Sequence, residues 1–195
     1  MLRSYVDLTV DAFLSLNPDE IMGRLSNAHS FDLEMNQRNA WQYQIQHLQK
    51  ELKNFSEGRV LFEFSIPRMG KRADVVLLLN NIIFILEYKV GADQGGRSGL
   101  DQVHDYALDL KNFHLGSHQC HIVPILIPTE TTQLNQSCQF EKDKVASPVT
   151  ISPEKLVALI SETLRIHNNG SIISNDWSSS GYKPTPTIIQ AAEAL

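Results

Sequence analysis

At 195 residues, 42% of them hydrophobic and 20% charged, the chain has room for one globular domain and a short appendage, and it fits neither a disordered nor a membrane-embedded class. Its formal net charge of −5 argues against a strong stand-alone nucleic-acid binder, whose affinity would come from Lys and Arg. The longest apolar run, residues 82–86, is far too short to span a bilayer, and the first seven residues hold no signal-peptide core.

The first helix signal is Asn17 as cap, Pro18 at the first helical position, then Asp19 and Glu20. A second helix follows, with Trp41, Ile45, Leu48 and Leu52 on one apolar stripe and Gly58 as its stop. Residues 59–66, 73–79 and 82–90 are short and rich in β-branched and aromatic side chains, so each is expected to be a strand. A glycine-rich loop, 91–99, leads into a helix over 100–114. The run 121–127 is expected to be a further buried strand, with Pro124 marking an edge or a bulge. Residues 129–150 are polar and irregular. Pro153 opens a helix carrying Leu156, Leu159, Ile160 and Thr163 on one face. The stretch 168–186 is rich in Ser, Asn, Gly and Pro and is expected to be a linker before a last helix from Thr187. Cys120 and Cys138 have neither zinc spacing nor a disulfide framework, which suits free thiols in a reducing cytoplasm. The four histidines His104, His114, His118 and His121 also lack zinc-ligand spacing.

Chemistry concentrates in the middle. Seven basic and seven acidic residues lie between Arg59 and Lys111, so the rest of the chain carries the whole −5. If Asn80 and Asn81 form a two-residue turn, Leu79 faces Ile82 and Asp74 comes opposite Glu87, with Arg72 opposite Lys89. Opposed residues share a sheet face, and so do Glu87 and Lys89, two apart. Two carboxylates and an ammonium thus gather among apolar strands. Like charges that close are costly without a cation, which points to Asp74 and Glu87 as ligands of Mg²⁺ or Mn²⁺. Lys89 is then placed to orient or deprotonate an attacking water, or to offset growing negative charge.

The element order helix–strand–strand–strand–helix–strand from Glu34 to Ile127, with Asp74 and Glu87-Tyr88-Lys89 at its motif positions, resembles the core of the PD-(D/E)XK nuclease superfamily. The likeness covers about half of the chain, and Ala73 stands where the family's name has proline. It implies a mixed α/β fold with a central, mostly four-stranded mixed sheet flanked by helices, an αβββαβ restriction-endonuclease-like core within residues 34–127. It also implies Mg²⁺-assisted hydrolysis of phosphodiester bonds in DNA or, second, RNA. Gln102 and Tyr106, one helical turn apart, are similar to the Gln-x-x-x-Tyr motif of several families in this superfamily and would support the catalytic residues and the phosphate. Glu34, seven residues before Trp41 and so on its stripe, is the expected third acid at the metal. Arg68, Lys71, Arg72 and Arg97 are the expected phosphate contacts.

The rival expectation is a non-catalytic nucleic-acid-binding or regulatory module that keeps the fold; oligomeric state stays open. Residues 1–167 form the domain in this reading, and 168–195 lead from it to a further one. Ile188, Ile189 and Leu195 want a surface to cover, a pattern that resembles the lead-in to a helicase-like ATPase. The phosphate loop of such a motor is absent from these 195 residues.

Overall fold

A computed structural model describes residues 3–29, 34–132, 138–167 and 173–193. Its architecture is mixed α/β: one six-stranded mixed sheet with helices on both faces. The strands are β1 (Val6–Thr9), β2 (Arg59–Ser65), β3 (Arg72–Leu79), β4 (Ile82–Lys89), β5 (His121–Pro128) and β6 (Val149–Thr150), and they lie side by side in chain order. The first four are antiparallel to their neighbours, whereas β5 and β6 run parallel to β4 and β5. The expectation of four strands is corrected by β1 and β6, whose four and two residues are too few to show an alternating pattern.

Helices α1 (Val10–Ser15), α2 (Pro18–Ala28), α3 (Met35–Glu51) and α5 (Leu156–His167) bury their apolar stripes on one sheet face. The other face takes α4 (Gly96–Phe113) and Trp177. With both faces covered, β3 and β4 are near-continuous apolar runs rather than alternating ones. Asn17 caps α2 and forms a capping box with Glu20, as the sequence indicates. Trp41, Ile45, Leu48 and Leu52 are all fully buried. Helix α3 stops at Glu51, however, and a 3₁₀ turn over Leu52–Asn54 carries the chain onward, so Gly58 is not its stop.

Two further expectations change. Strand β5 is interior, not an edge. Ile122 makes both of its backbone bonds toward the β6 side, so Pro124, two residues on, directs its missing donor there too. The loss falls in a gap between the Ile122–Val145 bridge and the Ile125–Val149 pair. The expected linker, over its described part 173–185, lies against the domain body. Trp177 is 1% exposed, its ring 4.5 Å from His114 and 4.9 Å from Phe64. The backbone amides of Lys183 and Thr185 donate to Phe113 and Asn112. A short helix, α6 (Pro186–Glu193), follows, with Ile189 45% exposed; Ala194 and Leu195 lie outside the described residues. No described helix is long and apolar enough to cross a membrane.

Candidate active site

The β3–β4 hairpin turns at Asn80 and Asn81, with Asn80 in the left-handed region at φ 53°. Leu79 pairs with Ile82 and the ladder runs in that register to Val75 and Leu86. The next rung is Asp74 and Glu87. There regular pairing gives way: the Tyr88 amide donates to Asp74 Oδ2 at 2.8 Å. Lys89 Nζ lies 2.9 Å from Glu87 Oε1 in an ion pair, and Gln102 Nε2 donates to the same oxygen at 2.8 Å. Gln102 Nε2 also donates to Tyr106 Oη at 2.7 Å. Asp74, Glu87, Lys89 and Gln102 therefore form one connected group.

That group exists because α4 comes close to the sheet. A β-carbon added at Gly95 would meet Leu126 Cδ2 at 2.2 Å, and one at Gly99 would meet Leu126 at 3.1 Å and Lys89 Cε at 3.5 Å. Glycine at both positions lets the start of α4 settle on β5, which delivers Gln102 to Glu87. Close packing, not helix propensity, sets the start of α4 at Gly96, four residues earlier than the sequence suggests.

The carboxylates are under stress. Burial, then the charge of Glu87, pushes the Asp74 carboxyl well above the usual range, against the pull of the Tyr88 amide. Burial likewise raises Glu87, although Lys89 and Gln102 pull it down. Glu87 is 5% exposed, and its second oxygen, Oε2, is buried with no hydrogen-bond partner. A buried carboxylate oxygen left unpaired is expensive unless something else binds it.

A third acid stands beside this pair, and sequence reasoning missed it. Val60 and Phe62 join the core under α3, whereas Leu61, Phe64 and Ile66 join the core under α4, so the alternation of β2 breaks at Glu63. In β3 the alternation breaks at Asp74, since Val75, Leu77 and Leu79 share one core and Ala73, Val76 and Leu78 the other. The pairs Phe62–Val75 and Phe64–Ala73 flank this rung, so Glu63 sits across from Asp74. Glu63 has φ 53°, rare for a non-glycine residue in a strand. Trp41 Nε1 and Gln37 Nε2 donate to its Oε1 at 2.9 and 3.2 Å. Burial raises its carboxyl too, although the Trp41 bond and the Arg72 charge hold it down. Strand patterning does not reveal a side chain whose backbone leaves the pattern.

Glu34, the acid expected here, does not lie on the α3 stripe. Helix α3 begins at Met35, so Glu34 is its extended N-cap residue, exposed and without a capping bond. The heptad spacing to Trp41 has no meaning outside the helix. Arg72, expected as a phosphate clamp beside Lys89, is engaged within the domain. It pairs with Ser65 on β2, donates to the Glu63 carbonyl and lies 4.3 Å over the Tyr5 ring. Tyr106 is 1% exposed, so it cannot offer a nucleic-acid surface; burial raises its hydroxyl to about 12 and it supports Gln102 instead. Arg68, Lys71 and Arg97 are exposed, with the Arg68 guanidinium 4.0 Å over Phe113.

Behind the site, Tyr88 points to the opposite face, where it is buried and meets His47. The Pro153 carbonyl can only accept, so His47 Nε2 carries the proton at 3.0 Å from it, and Nδ1 accepts from Tyr88 Oη at 2.9 Å. Burial lowers the His47 pKa and favours this neutral ring. A cleft of about 300 Å³, bordered by Thr9, Gly58, Arg59, Leu78 and Asn80, opens at the other end of β2 and β3. Among the described residues no group of three or more His, Cys, Asp and Glu side chains is set to hold a metal ion directly. No family model matches this chain, and neither a curated protein nor a solved structure matches it.

Proposed function

We propose that the domain is a divalent-metal-dependent nuclease of the PD-(D/E)XK kind, hydrolysing phosphodiester bonds of DNA or RNA, with α3, β2, β3, β4, α4 and β5 as its αβββαβ core. One observation carries the reading. Two carboxylates, the half-buried Asp74 and the buried Glu87, come side by side next to one ammonium, and Glu87 Oε2 is buried and unpartnered. A divalent cation fits that pair, because Mg²⁺ takes one or two carboxylates and keeps several of its waters. Asp74 and Glu87 would hold it, and when bound it supplies Lewis-acid polarisation of a phosphoryl oxygen.

The chain's own groups do the rest. Gln102 and Lys89 occupy Glu87 Oε1, which fixes the carboxylate and leaves Oε2 for the cation. The Tyr88 amide fixes Asp74 through Oδ2. Lys89 Nζ stands beside the carboxylates, placed to steer an attacking water or to offset charge growing on the phosphate. Lys71 and Arg97 remain as exposed cations for the backbone of the nucleic acid.

The test is a cleavage assay on single- and double-stranded DNA and RNA with Mg²⁺, with Mn²⁺ and with EDTA. Asp74→Ala, Glu87→Ala and Lys89→Ala should each abolish cleavage and leave a folded domain. Equal cutting by Asp74→Ala overturns the assignment. Salt-dependent binding without cleavage in any metal would instead favour the non-catalytic module.

A further inference from the structure

We infer that Glu63, not Glu34, is the third acid of this centre, and that it acts at one water's remove, accepting hydrogen bonds from the water ligands of a divalent cation held by Asp74 and Glu87. The inference rests on the cation reading above and names a residue that reading does not require. Position comes first. Glu63 lies across from Asp74 between the pairs Phe62–Val75 and Phe64–Ala73, and Glu87 follows one step beyond the last β3–β4 pair, Val75–Leu86. Helix α3 holds Glu63 through Trp41 and Gln37 and α4 holds Glu87 through Gln102, yet the Glu63 charge still acts on Asp74. The backbone gives the second argument. A non-glycine residue at φ 53° inside a strand persists only where its surroundings over-determine it. Here those surroundings are Trp41 and Gln37 on the side chain and Arg72 on the carbonyl.

Charge gives the third argument. Trp41 Nε1 and Gln37 Nε2 both donate to Glu63 Oε1, so Oε2 takes neither of these bonds. The neutral amide of glutamine could satisfy Trp41 and Gln37 equally well through its own oxygen. A carboxylate at this place adds a third like charge to a rung where Glu87 Oε2 is already buried and unpaired. That arrangement suits a hydrated cation, because Mg²⁺ gives up water reluctantly and the protons of its retained waters need acceptors. The action is indirect because, among the described residues, no three acids are set to hold one metal ion directly. Groups that orient the ligands of a metal in this way typically change its affinity by about 10- to 100-fold when removed.

The full chain is titrated with Mn²⁺ by calorimetry, and its thermal unfolding is followed with and without Mn²⁺. Glu63→Gln should bind Mn²⁺ at least about 10-fold more weakly, while its cation-free Tm equals or exceeds that of the unaltered protein. Trp41→Phe, which removes one donor to Oε1 and leaves all charges in place, should weaken binding a few-fold. Glu34→Gln should leave it unchanged. Two results overturn the inference and spare the cation reading. One is Mn²⁺ affinity in Glu63→Gln equal to that of the unaltered protein. The other is a fall in its cation-free Tm as large as the fall with Mn²⁺, which marks a structural residue. If the unaltered protein binds no Mn²⁺, the cation reading fails and this inference falls with it.

Discussion

Asp74→Asn should make the cation-free protein more stable at high pH. Asparagine keeps an oxygen for the Tyr88 amide, so the change removes charge and little else. Two unit charges about 5 Å apart at an effective dielectric of about 20 repel by about 3 kcal/mol. The ammonium of Lys89, a third exposed and paired to Glu87, offsets part of that, leaving about 1–2 kcal/mol for the substitution to release. In a chain of this size that is about 2–8 °C in Tm. The sign follows from linkage. The folded pKa of Asp74 lies above its unfolded value, so its unfavourable contribution is absent below the ordinary carboxylate range and grows as pH rises through the folded pKa. The gain from Asp74→Asn should therefore be small near pH 4 and larger at pH 8. Added Mg²⁺ should raise the Tm of the unaltered protein at pH 8 and not that of the variant. Differential scanning calorimetry at the two pH values, with Mg²⁺ and with EDTA, measures all four conditions. A variant destabilised equally at both pH values would refute the reasoning, because Asp74 would then be a structural cap for the Tyr88 amide.

Two predictions concern the frame of the site. His47→Phe leaves the Tyr88 hydroxyl and the Pro153 carbonyl unpaired in the interior, at a cost of about 2 kcal/mol, or about 4–8 °C in Tm. Because burial depresses the folded pKa of His47, its contribution is present above the ordinary histidine range and lost as pH falls below it; thermal melts should show the variant losing less stability over that interval, and parallel curves would sink the idea. Trp177→Ala empties a fully buried site and should cost about 3–5 kcal/mol in urea unfolding. A loss under about 0.5 kcal/mol would mean that residues 173–185 detach as a linker after all.

Much of the frame was legible because the signals were local. The Asn80-Asn81 turn fixes a register by counting, and counting carried Asp74 to Glu87. Asn17, Pro18 and Glu20 announce a helix start through side-chain chemistry confined to four residues. The stripe through Trp41, Ile45 and Leu48 repeats at the helical period. What was missed depends on contacts distant in sequence or on broken periods. Glu63 left its strand's alternation through a left-handed φ that no neighbour in sequence announces. Glu34 was read onto the Trp41 stripe because a heptad was extended one residue beyond the helix end. The Ser- and Asn-rich composition of residues 173–180 hid Trp177, a single side chain whose burial holds that segment in place. The engagement of Arg72 was hidden because the Tyr5 ring and the Glu63 carbonyl that it meets belong to other segments of the chain.

The sheet's outermost strands are its shortest, four residues in β1 and two in β6. Short margins offer an incoming chain few unpaired amides to template on, which guards the folded chain against strand-by-strand growth. The protection is thin in another sense. Behind those margins lies the β3–β4 hairpin, Val-Val-Leu-Leu-Leu beside Ile-Ile-Phe-Ile-Leu, just the uncharged, β-prone material that cross-β stacking recruits. Heating that strips β1 together with β2, or β6 together with β5, uncovers an edge of this hairpin, so thermal inactivation should end in aggregates and depend on protein concentration and scan rate.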